Sequence, residues 1–262
     1  MLHFKVFGST ENNLPWITFV HGAGGSSTIW FKQLKPFKDK YNLLLIDLRG
    51  HGLSKNIYSE WKKYSFEAVS NDIVEVLDHL KIQQTHFIGI SLGTIIIREI
   101  ADKHPERTIS LIMGGAVMHL NFRCRALMKV ANITKSVVPY MFLYKFFAFI
   151  IMPKKSHSES RNLFVNEAKK LYQNEFKKWV SMFTKLTPKL NFFQSKDSEK
   201  PTLYIMGSED YLFLPSIRKI AASHKKATLE VIEKCGHVVN IEQPQIFNDL
   251  VLKHLQRFQP AI

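Results

Sequence analysis

The chain of 262 residues is 45% hydrophobic and 22% charged, a globular balance that excludes a disordered, collagen-like or coiled-coil protein and leaves room for one substantial core with an insertion. Its 36 Lys and Arg against 22 Asp and Glu leave a net charge of +14, so where the cations sit decides between nucleic acid, an anionic membrane surface and an acidic substrate. Two cysteines, Cys124 and Cys235, are too few for a disulfide framework and read as free packing thiols in a reducing cytoplasm, with Cys235 close enough to His237 for thiol reagents to be felt there.

No basic segment followed by an apolar run opens the chain, so no signal peptide is expected. In chain order, strands are expected at His3 to Phe7, Trp16 to Val20, Leu43 to Ile46, His86 to Ile90 and Ile109 to Met113. The last four are short, nearly continuous apolar runs, the pattern of strands buried on both faces of a parallel sheet. Between them, Phe66 to Leu80 sets Val69, Ile73, Val76, Leu77 and Leu80 at helical spacing, and Leu92 to His104 reads as a helix stopped before Pro105. This alternation predicts an open α/β sheet. From 121 to 195 the strand signal is absent, and the sequence reads as helices rich in Phe, Tyr, Met and Lys, interrupted at Pro139, Pro153 and Pro188. The most apolar stretch there, Val137 to Met152, holds Lys145 and falls short of the roughly 20 residues of a membrane span. Strands return at Thr202 to Met206 and Leu229 to Ile232, with helices over Pro215 to Ser223 and Pro244 to Phe258. The expected organisation is one α/β core, 1–120 and 196–262, carrying a helical cap at 121–195.

Gly89-Ile90-Ser91-Leu92-Gly93 falls where a strand ends and a helix begins. A serine there sits on a sharp turn that projects its Oγ at the carboxyl edge of the sheet, and the glycines remove side chains that would collide. A hydroxyl needs a base, and the base an orienting acid. Of the histidines after the last strands, His224 and His254 lie near the end of a helix and within one, whereas His237 follows Gly236 on a loop after a strand, which makes it the base. No Asp or Glu occurs between Glu106 and Glu159, so the acid is sought after the Thr202 to Met206 strand, where Asp210 is favoured and its neighbour Glu209 is the alternative. The backbone N–H groups of Leu92 and of Ala23, the latter in the glycine-rich segment after Trp16 to Val20, are the expected oxyanion donors. That segment lacks the Lys and Ser/Thr of a phosphate-binding P-loop, and His21 reads as a residue that holds the loop together.

Five segments, His21 to Gly25, Asp47 to Ser54, Gly89 to Gly93, Gly207 to Asp210 and Gly236 to Pro244, resemble in order the landmarks of the α/β-hydrolase superfamily. The resemblance implies that fold, with a mostly parallel sheet flanked by helices, and a triad of Ser91 as nucleophile, His237 as base and Asp210 as acid, with Ala23 and Leu92 at the oxyanion hole. It implies a structural turn at Asp47 to Ser54, and Ser91 in place of an aspartate nucleophile turns away from the dehalogenase and epoxide hydrolase branches. Only one strand, His3 to Phe7, is expected before Trp16, a departure from the leading hairpin that the resemblance implies.

Fourteen Lys and Arg against three acids fall in 121–195. They are read as the solvated faces of amphipathic helices, with a membrane-docking surface for anionic lipid as the alternative. No recognition motif accompanies the charge, so nucleic acid is not expected as a partner. Tyr140, Phe146 and Phe147 are expected to line an acyl pocket over Ser91. The function expected is a cofactor- and metal-free serine esterase acting on a small ester with a short to medium apolar acyl group. A lyase or C–C bond hydrolase and a ligand-sensing signalling protein are the competing readings.

Overall fold

The computed structural model describes residues 1–9, 11–56 and 64–258. Along the first half run β1 (Phe4–Phe7), β2 (Trp16–Val20), α1 (Phe31–Phe37), β3 (Asn42–Ile46), α2 (Phe66–His79), β4 (Thr85–Ile90), α3 (Leu92–Lys103) and β5 (Thr108–Gly114). Five helices follow: α4 (Phe122–Thr134), α5 (Tyr140–Ile151), α6 (Ser158–Ala168), α7 (Gln173–Phe183) and α8 (Leu186–Ser195). The chain then returns through β6 (Thr202–Gly207), α9 (Leu214–Ser223), β7 (Ala227–Ile232), α10 (Val239–Glu242) and α11 (Pro244–Leu255).

The strands form one sheet in the order β1-β3-β2-β4-β5-β6-β7, with β1 antiparallel to β3 and every other pairing parallel. Every residue of β2, β3, β4 and β6 is buried, as their nearly continuous apolar runs suggest when helices cover both faces. The edge strands β1 and β7 are largely uncovered. On one face the helical stripe Val69, Ile73, Val76 and Leu77 of α2 packs with Ile96, Ile97 and Ile100 of α3. On the other, Phe37 of α1 meets Phe247 and Val251 of α11. The chain leaves β2 toward β3 and then crosses back to β4 on the opposite side. The loops after β2 and β4 therefore flank the crevice where open α/β sheets bind ligands.

Helices α4 to α8 fill the stretch between β5 and β6. Leu143, Tyr144, Leu171, Phe176 and Val180 make a separate apolar cluster there, while Trp179, Met182, Leu186 and Phe193 join the core of the sheet. Pro188 does not interrupt this region as the sequence suggests. It lies in the first turn of α8, where its missing N–H has no helical acceptor to lose. The helix expected to reach Phe258 ends at Leu255 and finishes as a 3-10 turn. Among the described residues no helix is long and apolar enough to cross a membrane.

Candidate active site

Between the last residue of β4 and the first of α3 there is only Ser91, so it makes the whole turn, at φ 53° and ψ −117°. A left-handed φ is costly for a residue with a Cβ, and the Ser91 N–H is held by the Gly114 carbonyl at 3.1 Å. Close approach dictates both glycines: a Cβ on Gly93 would stand 2.2 Å from the Val20 carbonyl oxygen, and one on Gly89 2.8 Å from the Gly93 carbonyl. The turn brings Oγ to the crevice at the carboxyl edge.

The Ser91 hydroxyl donates to His237 Nε2 at 2.9 Å, and His237 Nδ1–H donates to Asp210 Oδ2 at 2.7 Å. Asp210 and His237 are almost wholly buried, with side-chain exposures of 1% and 4%. The Phe213 ring lies 5.2 Å from the imidazole, and the Phe213 N–H donates to Asp210 Oδ1 at 3.2 Å. Glu209 points elsewhere, to Lys154 at 2.8 Å and to His157 Nε2 at 2.8 Å. The hydrogen bonds from Lys154 and His157 hold the Glu209 carboxyl below its ordinary range.

The loop after β2 is pinned by two buried histidines. His21 Nδ1–H donates to the Gly22 carbonyl at 2.7 Å and its Nε2 accepts the Leu48 N–H at 3.0 Å. His51 Nδ1–H donates to the Arg49 carbonyl and its Nε2 accepts the Gly24 N–H at 2.9 Å. Both rings must be neutral to accept, and burial lowers both, His51 to about 3. Asp47 takes the Ser27 and Leu53 N–H groups at 2.6 and 2.9 Å, so the Asp47 to Ser54 segment braces this loop. Ala23 and Leu92 both border the cavity in front of Ser91.

That cavity, about 180 Å³, is lined almost wholly by carbon: Ile95, Met128, Phe147, Phe164, Phe176 and Phe183 among others. Phe147 stands in its wall as expected, but Phe146 and Tyr140 do not. On α5 the residues Tyr144, Phe147 and Ile151 share the inward face, and Phe146, two positions from Tyr144, is carried outward and 47% exposed. Tyr140 is tied down by its hydroxyl, which donates to the Leu171 carbonyl at 2.8 Å. The Val137 to Met152 run is thus only half turned inward: Phe142, Phe146 and Phe149 form an outer stripe, and Val137 is 87% exposed. Tyr144, also in the wall, donates its hydroxyl to the Ala23 carbonyl.

Sequence reasoning missed Glu242, whose carboxylate accepts the Gly236 N–H at 2.7 Å, the Val238 N–H at 3.3 Å and the Ser160 hydroxyl at 2.9 Å. It cradles the loop that carries His237; its place five residues after His237 was the available signal. Cys235 is buried, and burial together with the nearby carboxylates pushes its thiol far up. Burial and a raised thiol both disfavour the thiolate that thiol reagents attack. His224 and His254 are packing residues, both buried.

The sequence model of the alpha/beta hydrolase fold family matches residues 15–244, and the chain belongs to that family. It is similar to 3-oxoadipate enol-lactonase 2 of Acinetobacter baylyi, 27% identical over 98% of this chain and 94% of that protein. It is also 25% identical to the putative carbamate hydrolase RutD of Stutzerimonas stutzeri, over 97% of this chain and 96% of that one. Among solved structures, a hydrolase from Pseudomonas aeruginosa PA01 superposes with a TM-score of 0.83 at 23% identity, over 96% of this chain and 93% of that one.

Proposed function

We propose that the protein is a serine hydrolase of carboxylic esters with short to medium apolar acyl groups, and that α4 to α8 serve as its cap. The observation that carries this reading is the relay Ser91, His237 and Asp210, at 2.9 and 2.7 Å, opening onto an apolar cavity. In the reaction, Ser91 Oγ attacks the ester carbonyl while His237 Nε2 takes its proton. The oxyanion is held by the N–H groups of Leu92 and Ala23 until His237 returns the proton to the departing alcohol. Water, deprotonated by the same Nε2, then releases the acid from the acyl-serine. Asp210 keeps Nδ1 protonated and stabilises the imidazolium. Among the described residues no Lys or Arg lines the cavity, which supports a neutral, apolar acyl group.

A panel of p-nitrophenyl esters of rising acyl length tests the reading. Turnover with a distinct length optimum supports it; no ester turnover, with a C–C bond or proton-transfer substrate consumed instead, refutes it. The outer stripe Phe142, Phe146 and Phe149 around the exposed Lys145 supports a peripheral contact with anionic lipid, which vesicle sedimentation with and without phosphatidylserine would test. The free thiols fit a cytoplasmic setting.

A further inference from the structure

Ser91 and His237 border two chambers. Besides the apolar cavity there is a smaller one of about 30 Å³, walled by the loop after β2 and by α6 and α10, which shares Ala23 and Phe164 with the larger. Ile29, Ile90, Leu163, Val238 and Ile241 give it apolar sides, but Glu167 of α6 brings a carboxylate to its wall. Glu167 is 8% exposed. Its Oε2 accepts the Ser26 hydroxyl at 2.8 Å and its Oε1 accepts Lys170 Nζ. Ser160, the other side-chain hydroxyl of this wall besides Ser91, is already committed to Glu242. A carboxylate accepts at about four lone-pair positions, so Glu167 keeps acceptor capacity after its two protein donors are counted.

Chamber sizes and linings divide an ester between them. The larger, carbon-lined cavity suits the acyl chain; the smaller, with one carboxylate, suits a short alcohol that has a donor to give. We propose that the small chamber is the alcohol subsite, and that it selects esters whose leaving alcohol carries a further hydroxyl, as glycerol does, donated to Glu167. This rests on the serine hydrolase reading and names its substrate class. Lys170 already balances the charge of Glu167, so a neutral donor is matched better than a cation. A space of about 30 Å³ holds a few heavy atoms, whereas one ordered water needs roughly 10–15 Å³ on the same scale.

The test compares three octanoate esters that differ only in the alcohol: 1-octanoylglycerol, propyl octanoate and octanoylcholine, with acid release followed by titration. A hydroxyl donated to a charged acceptor should raise kcat/KM for the glycerol ester about 10- to 100-fold over the propyl ester, carried mainly in KM, because the contact is present before and during reaction. In Glu167→Met the ratio should fall to within about threefold. Glu167→Gln, which keeps the shape of the side chain, should retain an intermediate ratio and carries the comparison if the Met variant does not fold. Fluorophosphonate labelling of Ser91 reports folding of each variant. A ratio near one in the unmodified enzyme, a ratio that both variants leave intact, or a preference for octanoylcholine over the other two would overturn the proposal. If none of the three esters is cleaved and Ser91 takes no label, the fault lies with the hydrolase reading itself.

Discussion

Replacing Asp210 by asparagine separates two carboxylates that are neighbours in sequence and differ in what they touch. Asp210 Oδ2 accepts His237 Nδ1–H at 2.7 Å in a site with almost no solvent. When Ser91 gives up its proton, an imidazolium forms with its charge about 4 Å from that carboxylate. At an effective dielectric constant of about 20 the attraction is about 4 kcal/mol, roughly 10³ in rate. Asparagine also presents an N–H where an acceptor is needed, which favours the tautomer protonated on Nε2 and blocks proton acceptance from Ser91. Together the two effects should lower kcat on the order of 10⁴-fold. Glu209→Gln should cost less than about tenfold, because Glu209 is engaged by His157 and Lys154 rather than by the base. The assay is kcat on the best p-nitrophenyl ester, with thermal melts to establish that both variants are folded. An Asp210→Asn enzyme within about tenfold of normal, or a Glu209→Gln enzyme that is the more damaged of the two, would refute the reasoning.

Three further outcomes follow from the same geometry. Along the ester panel kcat/KM should climb by up to about fourfold per methylene, since each buried CH₂ contributes roughly 0.8 kcal/mol, and then fall once the cavity is full; Phe147→Ala should move the optimum and Phe146→Ala should not, and a shift caused by Phe146 alone would contradict the assigned wall. Burial holds His51 at about 3 and His86 and His254 at about 4, below the ordinary value near ~6.5. The unfolded chain therefore binds protons that the folded one excludes, so stability is full above pH ~6.5 and is lost as pH falls toward about 4, at roughly 1.4 kcal/mol per pH unit for each histidine. Melting temperature should drop steadily over that range and less steeply in His254→Leu; a flat profile from pH 7 to 4.5 would contradict it. Cys235 should resist a disulfide reagent in the native protein and react on unfolding, and rapid native labelling at that residue would show the loop to be open.

Much of this was legible in the sequence because one physical constraint fixed each part. Trp16 to Val20 reads as a buried strand since a nearly continuous apolar run, broken only by Thr18, suits a strand covered by helices on both faces, and it is β2 without adjustment of its ends. The elbow was readable because a strand, one serine and a helix leave room only for glycine on either side. The acid was assigned from the emptiness of 107–158, a stretch without a carboxylate, and Asp210 does contact His237. What stayed hidden depends on rotation and on long-range partners. Whether Phe146 or Tyr144 faces the cavity turns on about 160° of helix phase between them, and the aromatic composition of α5 is too uniform to show it. Tyr140 lies on the favourable side but is claimed by the Leu171 carbonyl, 31 residues away. Glu167 and Ser26 meet across 141 residues, a pairing that no local pattern announces.

The central claim is that Ser91 is a nucleophile that forms an acyl-enzyme, and intact-mass measurement after fluorophosphonate treatment tests it most directly. One adduct per chain, mapped to the peptide holding Ser91 and lost together with at least about 10³-fold of ester turnover in Ser91→Ala, is the predicted result. An adduct on another residue, or a Ser91→Ala enzyme that still turns over esters at a near-normal rate, would contradict the account.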